Sequence, residues 1–283
     1  MTENVLVTGA STGFGMEIAL TLAQRGFRVY ATMRDLARRT ALEAAACARG
    51  VDVCVLQLDV TDATSIARAM ATIVDEGGGI YGVVNNAGIF LRGYFEDLLD
   101  AEIRQVFETN LFGTMAVTRA ALPYLRAARR GRIVVISSVA GRIAAPVGSA
   151  YCASRFAQEG FVEALYQEVA PLGVYASLVE PGITKTESWT IDRGAAERAR
   201  DPNSPYHAWF LRSEAIFNQV MESSPIRTRN VAHAVYRALT DARPRLRYLV
   251  GARARIVITL RRYLPDELFE RLYFGALMRR LTR

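Results

Sequence analysis

The sequence predicts an α/β fold: a doubly wound parallel sheet of about seven strands in a single domain. Short β-branched runs alternate with stretches of helical periodicity along the first 250 of its 283 residues. The first such run feeds directly into a glycine-rich turn that opens a helix. Polar residues collect just beyond the C-terminal ends of the runs, where ligands sit in sheets of this kind. There is no internal repeat and no Gly/Ser linker, so one unit is expected over residues 1–251, with a separate basic tail over 252–283.

Asn4–Val7 reads as the first strand. It enters Thr8-Gly9-Ala10-Ser11-Thr12-Gly13-Phe14-Gly15, after which Met16, Ile18, Ala19, Leu22 and Ala23 recur at helical spacing. Glycines there let the backbone approach a phosphate, and the helix N-terminus offers free N–H groups and a positive dipole end. A dinucleotide is the ligand such a turn suits. The second strand, Phe27–Met33, ends in Arg34. At that place an acid suits a free ribose hydroxyl and an Arg suits a 2′-phosphate, so Arg34, with Thr12 or Arg38 in support, favours NADP(H). Asp35, one place on, would favour NAD instead.

Residues 40–49 read as a helix and Val53–Leu58 as a strand ending at Asp59-Val60, with Thr61 or Asp62 as cap of a helix over Ala63–Glu76. Ile80–Val84 then delivers Asn85-Asn86-Ala87-Gly88 to a strand end. One long helix is expected over Ala101–Ala128, and a strand over Arg132–Ile136 runs into Ser137-Ser138. The next helix carries Tyr151 and Arg155, four residues apart and hence on one face. A guanidinium beside a phenol favours the phenolate, which makes the pair a candidate acid/base site. Strand Val174–Val179 leads to Glu180-Pro181-Gly182. From 183 to 225 the chain is punctuated by Pro202, Pro205 and Pro225 and rich in large apolar side chains, among them Trp189 and Phe210, as a substrate lid would be. A helix over Asn230–Asp241 and a short strand over Tyr248–Val250 close the sheet.

Composition narrows the function. The net charge of +7 is concentrated in the arginine-rich tail rather than spread as a stripe, so a nucleic-acid partner is not expected. Two distant histidines and three cysteines without CxxC spacing exclude a metal site of common type and suggest reduced thiols. With no run long enough to span a bilayer and no leader recognisable at Met1, a cytoplasmic location is expected. The tail, amphipathic around Pro265, can lie on an anionic membrane surface, cover the pocket or form a subunit contact.

Taken together, these residues resemble the short-chain dehydrogenase/reductase family, in its hydroxysteroid and retinol dehydrogenase-like branch. The resemblance implies a Rossmann fold and an NADP(H)-dependent oxidoreductase. It implies cofactor contacts from Gly9, Ser11, Thr12, Gly13, Phe14, Gly15, Arg34, Asp59, Val60, Asn86, Ala87, Gly88, Pro181, Gly182 and Thr186. Ser138 and Tyr151 match the family's catalytic pair, and Asn110 its asparagine that braces a helix and holds a relay water. Tyr151 and Arg155 would touch both substrate and cofactor. A small lipophilic ketone or alcohol is the implied substrate, in a pocket lined by Phe90, Leu91, Ile143, Val147, Trp189 and residues 205–220. A homodimer or homotetramer is implied, with helices 101–128 and 152–171 paired.

One position departs from the family. Its motif is Tyr-x-x-x-Lys, and here Arg155 stands at the lysine. Arg keeps a permanent charge but is bulkier and forked. Two other readings therefore stand beside the reductase. One is a Ser-Tyr-Arg enzyme resembling halohydrin dehalogenases, which work without nicotinamide. The other is a cofactor-binding protein with little turnover.

Overall fold

The computed structural model describes residues 2–185 and 194–282. Seven parallel strands form one sheet: β1 (Asn4–Val7), β2 (Arg28–Met33), β3 (Cys54–Gln57), β4 (Gly82–Asn85), β6 (Gly131–Ile136), β7 (Val174–Pro181) and β9 (Arg247–Val250). Their spatial order is β3-β2-β1-β4-β6-β7-β9. β1 and β4 are buried at every position, because helices cover both faces and leave no alternating polar side.

One face is covered by α1 (Gly13–Gln24) and by helix Thr228–Thr240, whose Val231, Val235 and Leu239 join Val5, Ile18 and Leu22 in one core cluster. The other face is covered by α3 (Ala63–Gly77), α5 (Gly113–Ala127) and α6 (Ser149–Val169), packed on Leu6, Val83, Ile133 and Leu178. Asp62 is the cap of α3, accepting from the Thr64 and Ser65 N–H groups at 2.8 and 3.2 Å. The strand order reverses between β1 and β4, so the crevice beyond their C-terminal ends is the natural ligand position.

The sequence differs from the structure in two places that matter. The expected continuous helix 101–128 is α4 (Asp100–Phe107) and α5 joined by a π turn over Glu108–Phe112. Periodicity does not register one extra residue in a turn. The second difference is a small parallel pair, β5 (Leu91–Arg92) with β8 (Gly194–Ala195), in what reads as loop. Two-residue strands are too short to leave a pattern. Among the described residues no helix is long and apolar enough to cross a membrane.

Candidate active site

At the switch point the first turn is built so that only glycine fits. Gly9 and Gly13 adopt positive φ, +67° and +60°. A Cβ on Gly15 would lie 2.2 Å from the Gly9 carbonyl oxygen and 2.5 Å from Asn86 Nδ2. Asn86 is the clamp of this turn: its Nδ2 donates to the carbonyls of Thr8 (2.9 Å) and Gly9 (3.0 Å). The Thr8 hydroxyl oxygen in turn accepts from the N–H groups of Asn86 and Ala87, both at 3.0 Å. The result is a bare-backbone cradle at the N-terminus of α1, the shape and polarity that a pyrophosphate requires. A dinucleotide fits these residues. Thr12 stands at the N-cap in extended conformation. Ser11 and Phe14 are half-buried beside it, and Phe14 packs into the core.

The adenosine end is formed by β2 and β3. Arg34 is exposed just past β2. Asp35 is turned back, its carboxylate accepting from the Ala37 N–H at 2.9 Å as the cap of a short 3₁₀ turn. Asp59 likewise holds its own turn, accepting from the Thr61 N–H and hydroxyl at 2.9 and 2.7 Å. Val60 is buried, and a Cβ on Gly113 would meet its side chain at 2.7 Å. Pro181 ends β7, and the Gly182 N–H donates to the Val250 carbonyl at 2.9 Å, so this border segment is tied to the last strand. Thr186 and Trp189 lie outside the described residues.

Around Tyr151 the chemistry is denser than the motif suggests. The Phe90 ring meets the Tyr151 ring edge-on at 4.5 Å, and the Arg155 guanidinium carbon lies 5.0 Å from its centre. Arg155 is buried. Its Nη1 donates to the Ile136 carbonyl at 2.9 Å and to Gln158 Oε1 at 2.7 Å, while its Nε has no partner among the described residues. A Cβ on Gly88 would lie 2.7 Å from Arg155 Nη2, so Gly88 is what leaves room for the guanidinium. Ser138 lies two residues past the end of β6; its Oγ accepts from the Ala140 N–H at 3.1 Å, which keeps the hydroxyl proton free to be donated.

Asn110 sits in the π turn and is fully buried. Its side chain accepts from the Ile89 N–H (2.8 Å) and donates to the Ile89 carbonyl (3.0 Å) and Ser154 Oγ (3.1 Å). It thus braces the loop after β4 against α6. Its own carbonyl accepts from Thr114 Oγ1 at 2.7 Å and Gln158 Nε2 at 2.5 Å. Two side-chain donors thus converge on this one carbonyl.

Behind the site lies a charge cluster that sequence reading missed. Arg247 Nε lies 3.0 Å from Glu159 Oε2 and 3.2 Å from Glu180 Oε1, and Arg142 Nη1 also meets Glu180 at 3.2 Å. Burial is the main cause that raises the Glu159 carboxyl to about 7; the Glu180 carboxylate adds to it, and Ser137 and Arg247 oppose it. These residues sit on four separate elements, and only the fold brings them together. Gln158 was the one legible omission, an amide three residues beyond Arg155 on the same helix face.

Apart from the main core, Val147, Ala196, Ala199 and Phe210 form a separate cluster with Leu91, Tyr94 and Leu98 around them. Helix His207–Glu222 is locked to β5 by a buried Arg92–Glu214 ion pair. The Ser204 hydroxyl donates to Asp97 at 2.8 Å, and Tyr94 stacks on Tyr206 at 4.9 Å. The last helix, Gly275–Thr282, packs on helix His207–Glu222, with Leu281 buried and its carbonyl accepting from Arg212 Nη1 at 2.7 Å. A small apolar cavity of about 30 Å³ remains between Pro146, Val147, Ile216, Phe217, Leu277 and Leu281.

A parallel sheet with a glycine cradle at its switch point and a Tyr on the helix after a Ser-ended strand defines a nucleotide-dependent oxidoreductase class. The family model for short chain dehydrogenases matches residues 3–195, and the chain belongs to that family. It is 36% identical to retinol dehydrogenase 8 of Bos taurus over 275 residues, 93% of this chain and 86% of that one. It is 33% identical to 3-ketodihydrosphingosine reductase of Bacteroides thetaiotaomicron over 267 residues, 94% of each. The crystal structure of a short-chain dehydrogenase from Streptomyces avermitilis superposes with a TM-score of 0.80 at 32% identity over the whole of both chains. Solved structures of the same fold contain NAD in a Burkholderia phymatum protein (23% identity, TM-score 0.80, 92% and 93% covered) and NADP in a metagenomic one (27%, 0.69, 88% and 96%).

Proposed function

We propose that this protein is an NADP(H)-dependent oxidoreductase that interconverts a bulky lipophilic ketone and its secondary alcohol, with Tyr151 as the acid/base. The observation that carries the reading is the placement of Tyr151 against a buried guanidinium that reaches Gly88, two residues from the Asn86 that clamps the glycine turn. A bound nicotinamide supplies a hydride to the substrate carbon, or takes one from it. In the reducing direction the Tyr151 hydroxyl gives its proton to the carbonyl oxygen, and Ser138 Oγ donates a hydrogen bond to that same oxygen. Arg155 holds positive charge over the ring throughout, since a guanidinium does not deprotonate in proteins. The tyrosine then regains its proton from solvent.

NADP over NAD is supported by the turned-back Asp35 carboxylate, which leaves Arg34 as the charged group at the end of β2. The lipophilic substrate is supported by the apolar lid and by the retinoid and sphingoid names of the relatives. For the tail, cover of the pocket is the role its contacts support, through Leu277 and Leu281. Exposed Phe112, Tyr124 and Phe156 on α5, its preceding turn and α6 support pairing of those helices in a dimer. The cradle argues for a nucleotide and against the dehalogenase alternative.

Titration of the purified protein with NADPH and NADH, followed by nicotinamide fluorescence, tests the reading. NADPH is expected to bind more tightly, and Tyr151→Phe to retain binding while losing about a thousandfold or more in turnover over a panel of aromatic and long-chain ketones. Failure to bind either nucleotide would remove the proposal. Halide release from a chlorohydrin without nucleotide would establish the dehalogenase, and tight binding without turnover the non-catalytic protein.

A further inference from the structure

We infer that Gln158 is a positioning residue for Arg155, and that the two form one matched unit at the place where the family's motif has a lysine. The inference deepens the reading of Tyr151 as acid/base and rests on it.

Gln158 is 1% exposed, and each end of its amide is engaged. Oε1 accepts from Arg155 Nη1 at 2.7 Å; Nε2 donates to the Asn110 carbonyl at 2.5 Å and to Thr114 Oγ1 at 3.1 Å. These partners fix which way the amide points. Flipped, it would set Nε2 against the donor Nη1 and Oε1 against the acceptor carbonyl. The carbonyl lies within the π turn, where α4 passes into α5. The chain of contacts therefore runs from helix backbone through Gln158 to the guanidinium and from there to the Tyr151 ring face.

A guanidinium on a long flexible stem needs such a hold. Without Gln158, Nη1 keeps only the Ile136 carbonyl, which fixes a position but not a plane. With two acceptors on one nitrogen, the fork is held both over the Tyr151 ring and inside the space that Gly88 leaves. An ammonium is shorter and presents a single point charge. Placed at 155, it would strand Gln158 Oε1 in a buried site with no donor, an arrangement that costs more than the bond itself contributes. Arg155→Lys alone is therefore expected to harm the enzyme, although lysine is what the family uses.

The test compares the full-length wild type with Gln158→Met, Arg155→Lys and the double variant. Met keeps the length of the side chain and removes both polar ends; Gln158→Leu takes its place if the Met variant fails to fold. NADPH affinity, kcat and KM are measured with the best substrate of the ketone panel. Gln158→Met is expected to lower kcat about 10- to 100-fold while KM and NADPH affinity change by less than about threefold. Arg155→Lys is expected to lose a similar amount, and the double variant to be no worse than Arg155→Lys within about threefold. A Gln158→Met kcat within about threefold of wild type, or losses that multiply in the double variant, would overturn the inference. If the wild type binds no nucleotide and reduces no ketone, it is the reading of Tyr151 that has failed. Urea unfolding of the same four proteins then decides the pairing. Unfolding constants departing about tenfold or more from the product of the single effects support it, and constants that multiply overturn it.

Discussion

The two halves of the site are held together by different means. The nucleotide half is made of backbone: Gly9, Gly13 and Gly15, clamped by one Asn86 amide and one Thr8 hydroxyl. The half proposed to hold the substrate is made of side chains that meet across large sequence distances, Arg92 with Glu214, Asp97 with Ser204 and Tyr94 with Tyr206. A backbone cradle has one solution and tolerates no Cβ. A side-chain scaffold has many solutions, which is what a family needs where its members differ in substrate.

Substitutions can set the two halves apart. The largest effect is expected from Gly15→Ala, whose methyl must displace either the Gly9 carbonyl or the Asn86 clamp. NADPH binding should weaken by about a hundredfold or more in fluorescence titration. Arg92→Met attacks the other half and leaves Glu214 facing an apolar partner. A loss of about 3 kcal/mol in urea unfolding is expected, with a raised KM for ketone and NADPH affinity unchanged within about threefold. If Arg92→Met weakened the nucleotide as much as the ketone, the two halves would not be separable.

Glu159 belongs to neither half, standing behind both. Its carboxyl titrates at about 7 in the folded protein against an ordinary 4.5, so the folded state retains a proton that the unfolded chain releases across that window. Stability should therefore fall as pH rises from about 4.5 to 7, with Glu180, Ser137 and Arg247 facing the group and Arg142 reaching Glu180. Glu159→Gln should gain about 1–3 kcal/mol at pH 8 and nothing below pH 4.5, read by urea unfolding at both. The smallest change is expected from Arg34→Ala, about a tenfold drop in preference for NADPH over NADH. An unchanged preference would remove Arg34 from cofactor choice.

The same contrast explains what could be read in advance. The glycine turn, the Asn-Asn-Ala-Gly segment and the alternation of strand and helix depend on local chemistry, and local chemistry leaves motifs. Arg34 was ambiguous against Asp35 because a pattern does not say which way a carboxylate turns; in the structure it turns back to the Ala37 N–H. The Arg92–Glu214 pair spans 122 positions and has no signature. The Glu159 cluster needed four elements to converge. Gln158 lay in plain view, three residues from Arg155, but an amide on a helix face gains meaning only when the carbonyl of Asn110 is found opposite it.

That carbonyl is there because the helix from Asp100 to Ala127 carries one residue more than its geometry wants. In terms of phase, the extra residue rotates everything upstream by about 100° relative to everything downstream. The helix is thereby two surfaces joined end to end, α4 turned to α6 and α5 turned to the sheet and α3. Deleting one residue between 108 and 112 would make a more regular helix. It would also turn one surface away from its partner, carry the Asn110 carbonyl with it, and leave Gln158 with nothing to lean on.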